Sequence, residues 1–273
     1  MPGHTGSFVD TSEIRNAVTA TVESIAPECA GKPLEPGRPL RGQVELDSLD
    51  WLNVVAALHE RLGVDIPESD YGRLSTLDDI VAYVEARRRE PAAGPAPRAA
   101  VPTAPLPDAT HVINDTRVRL RPMRADDSDL EAEFVRHLSG DARYKRFMAT
   151  MRELSDAKLR YLTDVDQVRH VALVATADIG GRQVEVGVAR YIVDPVGTGC
   201  EFAITVDDAW QGSGLAGILM HALMGVARSR GIASMEGIVL AANSRMLHFT
   251  RQLGFSIERD PEDRQTLRVV RAL

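Results

Sequence analysis

Glu201 to Ala216, EFAITVDDAWQGSGLA, reads as a strand, a short polar turn and a glycine-punctuated entry into a helix. Glu201, Ala203 and Thr205 alternate with Phe202, Ile204 and Val206, which is strand periodicity. Asp207 and Asp208 end the strand. Leu215, Ile218, Leu219, Leu223 and Val226 then recur at helical spacing. Between them stands Gln211-Gly212-Ser213-Gly214-Leu215-Ala216. Small residues there let a backbone come close to a ligand. A helix start also leaves N–H groups unpaired at the positive end of its dipole. The stretch therefore predicts a cradle for a pyrophosphate.

Gln-x-x-Gly-x-Ala after a strand resembles the acyl-CoA-binding motif of the GNAT superfamily of N-acetyltransferases. A second stretch, Asn243-Ser-Arg-Met246-Leu-His-Phe249-Thr250-Arg-Gln-Leu253-Gly254-Phe255, resembles that family's asparagine-led helix ending in Leu-Gly-Phe. Arg143-Tyr144-Lys145-Arg146-Phe147, Leu154-Ser155, Val171 to Ala175 and Glu201-Phe202-Ala203 are similar to bacterial protein lysine acetyltransferases. This resemblance implies binding of acetyl-CoA or another short acyl-CoA. The cofactor-binding residues would be Ile204, Thr205, Val206, Gln211, Gly212, Ser213, Gly214, Leu215, Ala216 and Asn243. It also implies Glu201 as general base, where the plain alternative is a strand glutamate facing solvent. For Asn243 the alternative is a helix cap. A backbone N–H from Ile204 to Val206 would face the oxyanion. One departure stands out: Thr250 occupies the position where many family members carry a tyrosine as general acid. His170, His221 and His248 read as structural.

The 273 residues predict two domains. The chain carries a net charge of −7, and all of the excess acidity lies in residues 1–88, with 15 Asp+Glu against 8 Lys+Arg. That imbalance argues against nucleic acid as a partner. The N-terminus lacks a basic segment followed by an apolar run, and no run is long enough to span a bilayer, so a cytoplasmic protein with no membrane partner is expected. Cys29 and Cys200 are read as reduced thiols, and no Cys/His cluster has metal spacing.

Residues 8–88 predict a small all-α domain of four helices. The first runs over residues 10–27, with Ile14, Val18, Val22 and Ile25 on one face and Thr11 or Ser12 as its cap. A loop rich in proline and glycine follows. A second helix starts near Ser48, a short helical turn follows Pro67, and a last helix opens at Thr76 with Asp79 placed for a capping box. The Leu46-Asp47-Ser48-Leu49-Asp50 junction resembles the attachment motif of acyl carrier proteins, as do the Gly63 to Pro67 run and the final Leu-Asp-Asp-Ile helix. This resemblance implies 4′-phosphopantetheine on Ser48, added by a phosphopantetheinyl transferase. The plain alternative is that Ser48 merely caps its helix. Glu45, Asp47, Asp50 and Glu60 would form the acidic surface that a partner meets.

Residues 89–110 hold six prolines and seven alanines among 22 positions and read as a semi-rigid linker. At about 3.1 Å per residue it would extend up to ~68 Å, which allows intramolecular contact between carrier and GNAT domain. Residues 111–273 then predict an α/β (α+β) GNAT domain with a mixed, mostly antiparallel sheet. Three functions are compatible with these features. The first is an acetyl-CoA-dependent N-acetyltransferase acting on protein lysines, with the carrier as regulator or partner. The second is acyl transfer to or from the Ser48 arm. The third is a non-catalytic CoA-sensing protein.

Overall fold

The computed structural model describes residues 11–26, 29, 31–44, 46, 48–64, 66, 74–89, 105–147, 153–154, 156–194, 197–259 and 265–273. The N-terminal part is helical. Helix α1 (Thr11–Ile25) buries Ile14, Val18, Val22 and Ile25 on one face, as their spacing dictates. Thr11 lies within this helix, and its hydroxyl donates to Glu85 Oε1 2.6 Å away rather than capping α1. A 3-10 turn (Leu40–Gly42) leads to helix α2 (Ser48–Leu62). Gly63, at φ +62°, then takes a left-handed turn that a side chain would resist. Helix α3 (Leu77–Arg89) opens on the expected capping box. Asp79 N–H donates to Thr76 Oγ1 at 3.0 Å, and Thr76 N–H donates to Asp79 Oδ2 at 2.9 Å. Val18, Leu40, Val54, Leu58, Ile80 and Val84 pack into one core. The described residues thus hold three α-helices and a 3-10 turn. The fourth element, expected after Pro67, falls outside them.

The second part is built on one eight-stranded sheet. Its first strand, β1 (Ala109–Ile113), begins inside the segment expected as linker, and the sequence reading named only its neighbour β2 (Thr116–Pro122). Asn114 and Asp115, both at positive φ (49° and 59°), make the two-residue turn between them. That geometry matches the twist of the flanking strands, and Asn and Asp tolerate it. A 3-10 turn (Ala125–Asp127) precedes α4 (Ser128–His137). Two helices follow, α5 (Gly140–Phe147) and α6 (Asp156–Thr163). There follow β3 (His170–Ile179), β4 (Arg182–Val193), β5 (Gly199–Val206), α7 (Leu215–Ser229), β6 (Ser234–Leu240), α8 (Ser244–Gln252), β7 (Ser256–Arg259) and β8 (Thr266–Ala272).

The sheet order is β1-β2-β3-β4-β5-β6-β8-β7. Only β5 and β6 run parallel, so the sheet is mixed and mostly antiparallel. On one face α7 and α8 pack Leu219, Leu223 and Leu247 against Ala189, Tyr191 and Phe202. On the other, α4 and α6 pack Phe134, Val135 and Leu162 against Ala172, Val174 and Val188. No helix among the described residues is long and apolar enough to cross a membrane. Cys29 and Cys200 are both buried.

Asp127, the N-cap of α4, makes no side-chain cap hydrogen bond. It is buried and forms two 2.6 Å bonds with the buried Arg121 guanidinium, and it also accepts from Arg124 N–H. Burial likewise sets the charge of two other groups. It pushes the Glu185 carboxyl well above the usual range, with nearby Glu131 adding to the effect and Arg190 opposing it. It holds His170 well below the usual imidazole range, reinforced by Arg190, Arg146 and Lys158, so His170 stays neutral. The raised Glu185 value carries a definite sign. Above the ordinary carboxylate range the unfolded chain loses a proton that the folded chain keeps, so stability falls as pH rises toward the folded value. Glu185→Gln should therefore flatten the decline in denaturation midpoint between pH 5 and pH 8.

Candidate active site

The site exists because β5 and β6 part. They pair only over Gly199–Glu201 against Ser234–Glu236. Just past the last paired row, the Phe202 ring lies against Gly237, where a Cβ would meet it at 2.8 Å. Beyond that point the strands diverge around a cavity of about 790 Å³.

The ladder with β4 decides which β5 groups face this cleft. Asp207 N–H bonds Val186 O, and the register runs Val188↔Thr205, Arg190↔Ala203 and Ile192↔Glu201. In an antiparallel pair, hydrogen bonding alternates. The N–H groups of Thr205, Ala203 and Glu201 therefore point to β4, and those of Ile204 and Val206 point to the cleft. Of the three residues expected to supply the oxyanion donor, Ile204 and Val206 have a backbone N–H aimed at it. Thr205 offers its side chain instead. Its Oγ1 is buried in the cavity wall with no hydrogen-bond partner in the described structure.

Glu201 lies in the same wall and is 9 % exposed, so it is a buried cleft residue and not a solvated strand glutamate. The register puts it on the face that carries Val188, Arg190 and Ile192, which is the face covered by α4 and α6. Helix α5 crosses β5 nearby and brings Asp141, Lys145 and Arg146 to the cavity.

The glycine turn behaves as its sequence implies. Gly212 and Gly214 stand at φ +82° and +89°, and Gly214 is the N-cap of α7 with no side-chain cap. Leu215 N–H donates to Ser213 Oγ at 3.4 Å, so the N–H groups that the helix start leaves for a ligand are those of Ala216 and Gly217. Gln211, Gly212, Gly214 and Ala216 line the cavity. Ser213 and Leu215 do not. Ser213 Oγ donates to Trp210 O at 2.6 Å, and the Leu215 side chain belongs to the core. Gly214→Val should act twice. It strains the left-handed backbone by about 1–2 kcal/mol, and it puts a branched side chain in front of the open N–H groups. The expected result is a rise in KM for acetyl-CoA of tenfold or more with a smaller change in kcat, read by steady-state kinetics.

Asn243 lies in the wall, but its Oδ1 accepts from Met246 N–H at 3.2 Å and so caps α8. Its amide nitrogen is left as a donor for a ligand. Arg245, which the sequence reading passed over, stands beside Gly212 and donates to Gln211 Oε1. A cation in the first turn of a helix opposes the dipole. That unfavourable placement was the available signal for a residue able to meet an anion. Arg245, Lys145, Arg146 and the α7 N-terminus together make a donor set suited to a diphosphate, and the orphaned Thr205 hydroxyl awaits a polar partner. The residues present thus fit an acyl-CoA. Thr250 is fully buried, and its hydroxyl donates to Leu247 O at 3.1 Å. It stands outside the cavity wall, so a proton for a departing thiolate does not come from that position.

Comparison with known proteins agrees with this geometry. The acetyltransferase (GNAT) family model matches residues 133–255. The phosphopantetheine attachment site model matches residues 16–84. An acetyltransferase of Pseudomonas aeruginosa is 37% identical over 158 residues, 58% of this chain and 82% of that protein. An acyl carrier protein of Streptomyces coelicolor is 33% identical over 84 residues, 31% of this chain and 87% of that protein. Among solved structures, the GNAT domain of S. lividans PAT is 31% identical with a TM-score of 0.56, covering 61% of this chain and 97% of that one. The chain belongs to the GNAT family as an N-acetyltransferase, with a carrier domain of the acyl carrier protein family fused ahead of it.

Proposed function

We propose that the protein transfers an acetyl group from acetyl-CoA to lysine side chains of protein substrates. The observation that carries this reading is Glu201, a buried carboxylate in the cleft wall on the strand that also aims the Ile204 and Val206 N–H groups into the cleft. The likeness to the GNAT domain of S. lividans PAT supports it. Acetyl-CoA supplies an activated acyl carbonyl. The α7 N-terminus and Arg245 hold its phosphates. Ile204 or Val206 N–H binds the carbonyl oxygen as it gains charge. Glu201 takes the proton from the lysine ammonium, directly or through one water. This help is needed because a free lysine, at a pKa of about 10.4, is neutral in only about one of two thousand copies at pH 7. Ser48, the first residue of α2, is the attachment point for 4′-phosphopantetheine in this reading, and the phosphopantetheine attachment site match supports it.

The test is transfer of labelled acetyl from acetyl-CoA to lysine-rich protein substrates, with the modified residues located by mass spectrometry. Acetyl-lysine in the products is expected. Tight acetyl-CoA binding with no acetylated lysine in any substrate would overturn the reading.

A further inference from the structure

The carrier helix α2 packs against β4 and β5 of the catalytic domain. Its attachment there is specific. Lys158 Nζ of α6 donates to Asp50 Oδ1 of α2 across 108 residues of sequence, with Asp50 4 % and Lys158 7 % exposed. A surface pair would hold little, but a buried one strongly penalises loss of either partner. The contact leads directly to the site. Lys158 Nζ lies 5.0 Å from the centroid of the Tyr161 ring, and that ring meets His170 at 5.8 Å. His170 pairs with Ile192, and Ile192 pairs with Glu201. The docked carrier therefore sits on the Glu201 face of the sheet. Asp50 belongs to the acidic set read as the carrier's partner-facing surface, and the partner it meets here is its own catalytic domain.

We infer that in the docked state the acyl acceptor is the thiol of the Ser48 arm, so that the catalytic domain loads its own carrier in cis. Ser48 stands two residues ahead of the buried Asp50, at the start of the docked helix. The arm it takes repeats the pantetheine half of CoA, so it carries a thiol of the same kind and reach. This inference rests on acetyl-CoA occupying that cleft as proposed above. In the step, the arm sulfur forms a bond to the acetyl carbonyl carbon and the bond from that carbon to the CoA sulfur breaks. The arm's proton passes to Glu201 and on to the CoA thiolate. One thioester is consumed and one is made, with no other reactant. A thiol of pKa about 8.5 is ~3% ionised at pH 7, so it asks less of the base than a lysine does. Protein lysines and the docked arm then compete for one entrance.

The experiment uses the full chain, produced with and without a broad-specificity phosphopantetheinyl transferase and mixed with acetyl-CoA. Intact mass, hydroxylamine lability of the label and a lysine-containing protein substrate provide the readouts. The arm-bearing chain should gain one acetyl group that hydroxylamine releases, at a rate independent of protein concentration, as a tethered acceptor requires. The chain without the arm and Ser48→Ala should gain none. Lys158→Asp, which leaves the carrier domain unaltered, should slow loading at least tenfold, and adding Asp50→Lys should restore it. An arm-bearing chain that stays unacetylated while the protein substrate is acetylated overturns cis loading and leaves the lysine reading intact. A hydroxylamine-stable label, or loading unchanged by Lys158→Asp, also overturns it. Absence of transfer to either acceptor overturns both readings.

Discussion

Glu201→Gln lowers kcat for lysine acetylation by about 10²–10⁴-fold, the range for loss of a positioned general base, with little change in KM for acetyl-CoA. The substitution keeps the volume of a side chain that is 9 % exposed in the cavity wall, so the loss is one of proton transfer. In the proposed function the α7 N-terminus and Arg245 would hold acetyl-CoA, and the substitution leaves both alone. Raising the pH should partly rescue the variant, because more of the amine is then neutral without help. Steady-state kinetics from pH 7 to pH 9.5 with a lysine peptide measure both effects. A variant that keeps full kcat at pH 7 would remove Glu201 from the role of base.

Asp127→Ala destabilises the catalytic domain by about 3–5 kcal/mol, the cost of leaving a buried charge without its partner. Asp127 closes a bidentate pair with Arg121 at 2.6 Å and also accepts from Arg124 N–H. Both side chains are buried where β2 turns into α4. Removing the carboxylate strands the Arg121 guanidinium away from water. The guanidinium keeps only its bond to Pro122 O. Urea denaturation of the variant measures the loss, and a change under 1 kcal/mol would show that Arg121 finds another partner. Arg121→Met with Asp127→Leu should recover much of the stability, since an apolar pair of similar volume avoids desolvating charge.

The carrier half was legible because its signals are local. Thr76 and Asp79 meet across three residues, and the Ile14, Val18, Val22 and Ile25 stripe follows from helical periodicity alone. The Gly212–Gly214 turn was legible for the same reason. Gly212 and Gly214 both take the positive φ that glycine adopts without steric cost. The β1 strand is less legible because only five residues, Ala109–Ile113, follow the Pro/Ala-rich segment, although Thr110, Val112 and Ile113 are β-branched. A second local signal, Asn114-Asp115 between short alternating runs, is a hairpin turn that was left unread.

By itself the sequence determined the apolar stripes of α1 and α7, the capping box of α3 and the glycine turn ahead of α7. All of these depend on neighbours a few residues apart, where backbone sterics and capping bonds act. Tertiary structure alone decided how those residues are used. Thr205 and its neighbours differ only through the β4 register, which aims the Ile204 and Val206 N–H groups into the cleft and spends that of Thr205 on the ladder. Asn243 turned out to cap α8, and Arg245 to stand beside Gly212. Asp50 and Lys158 carry no mark of each other in the sequence. A buried ion pair between residues 108 positions apart forms only when folding brings two elements together and removes the water from both.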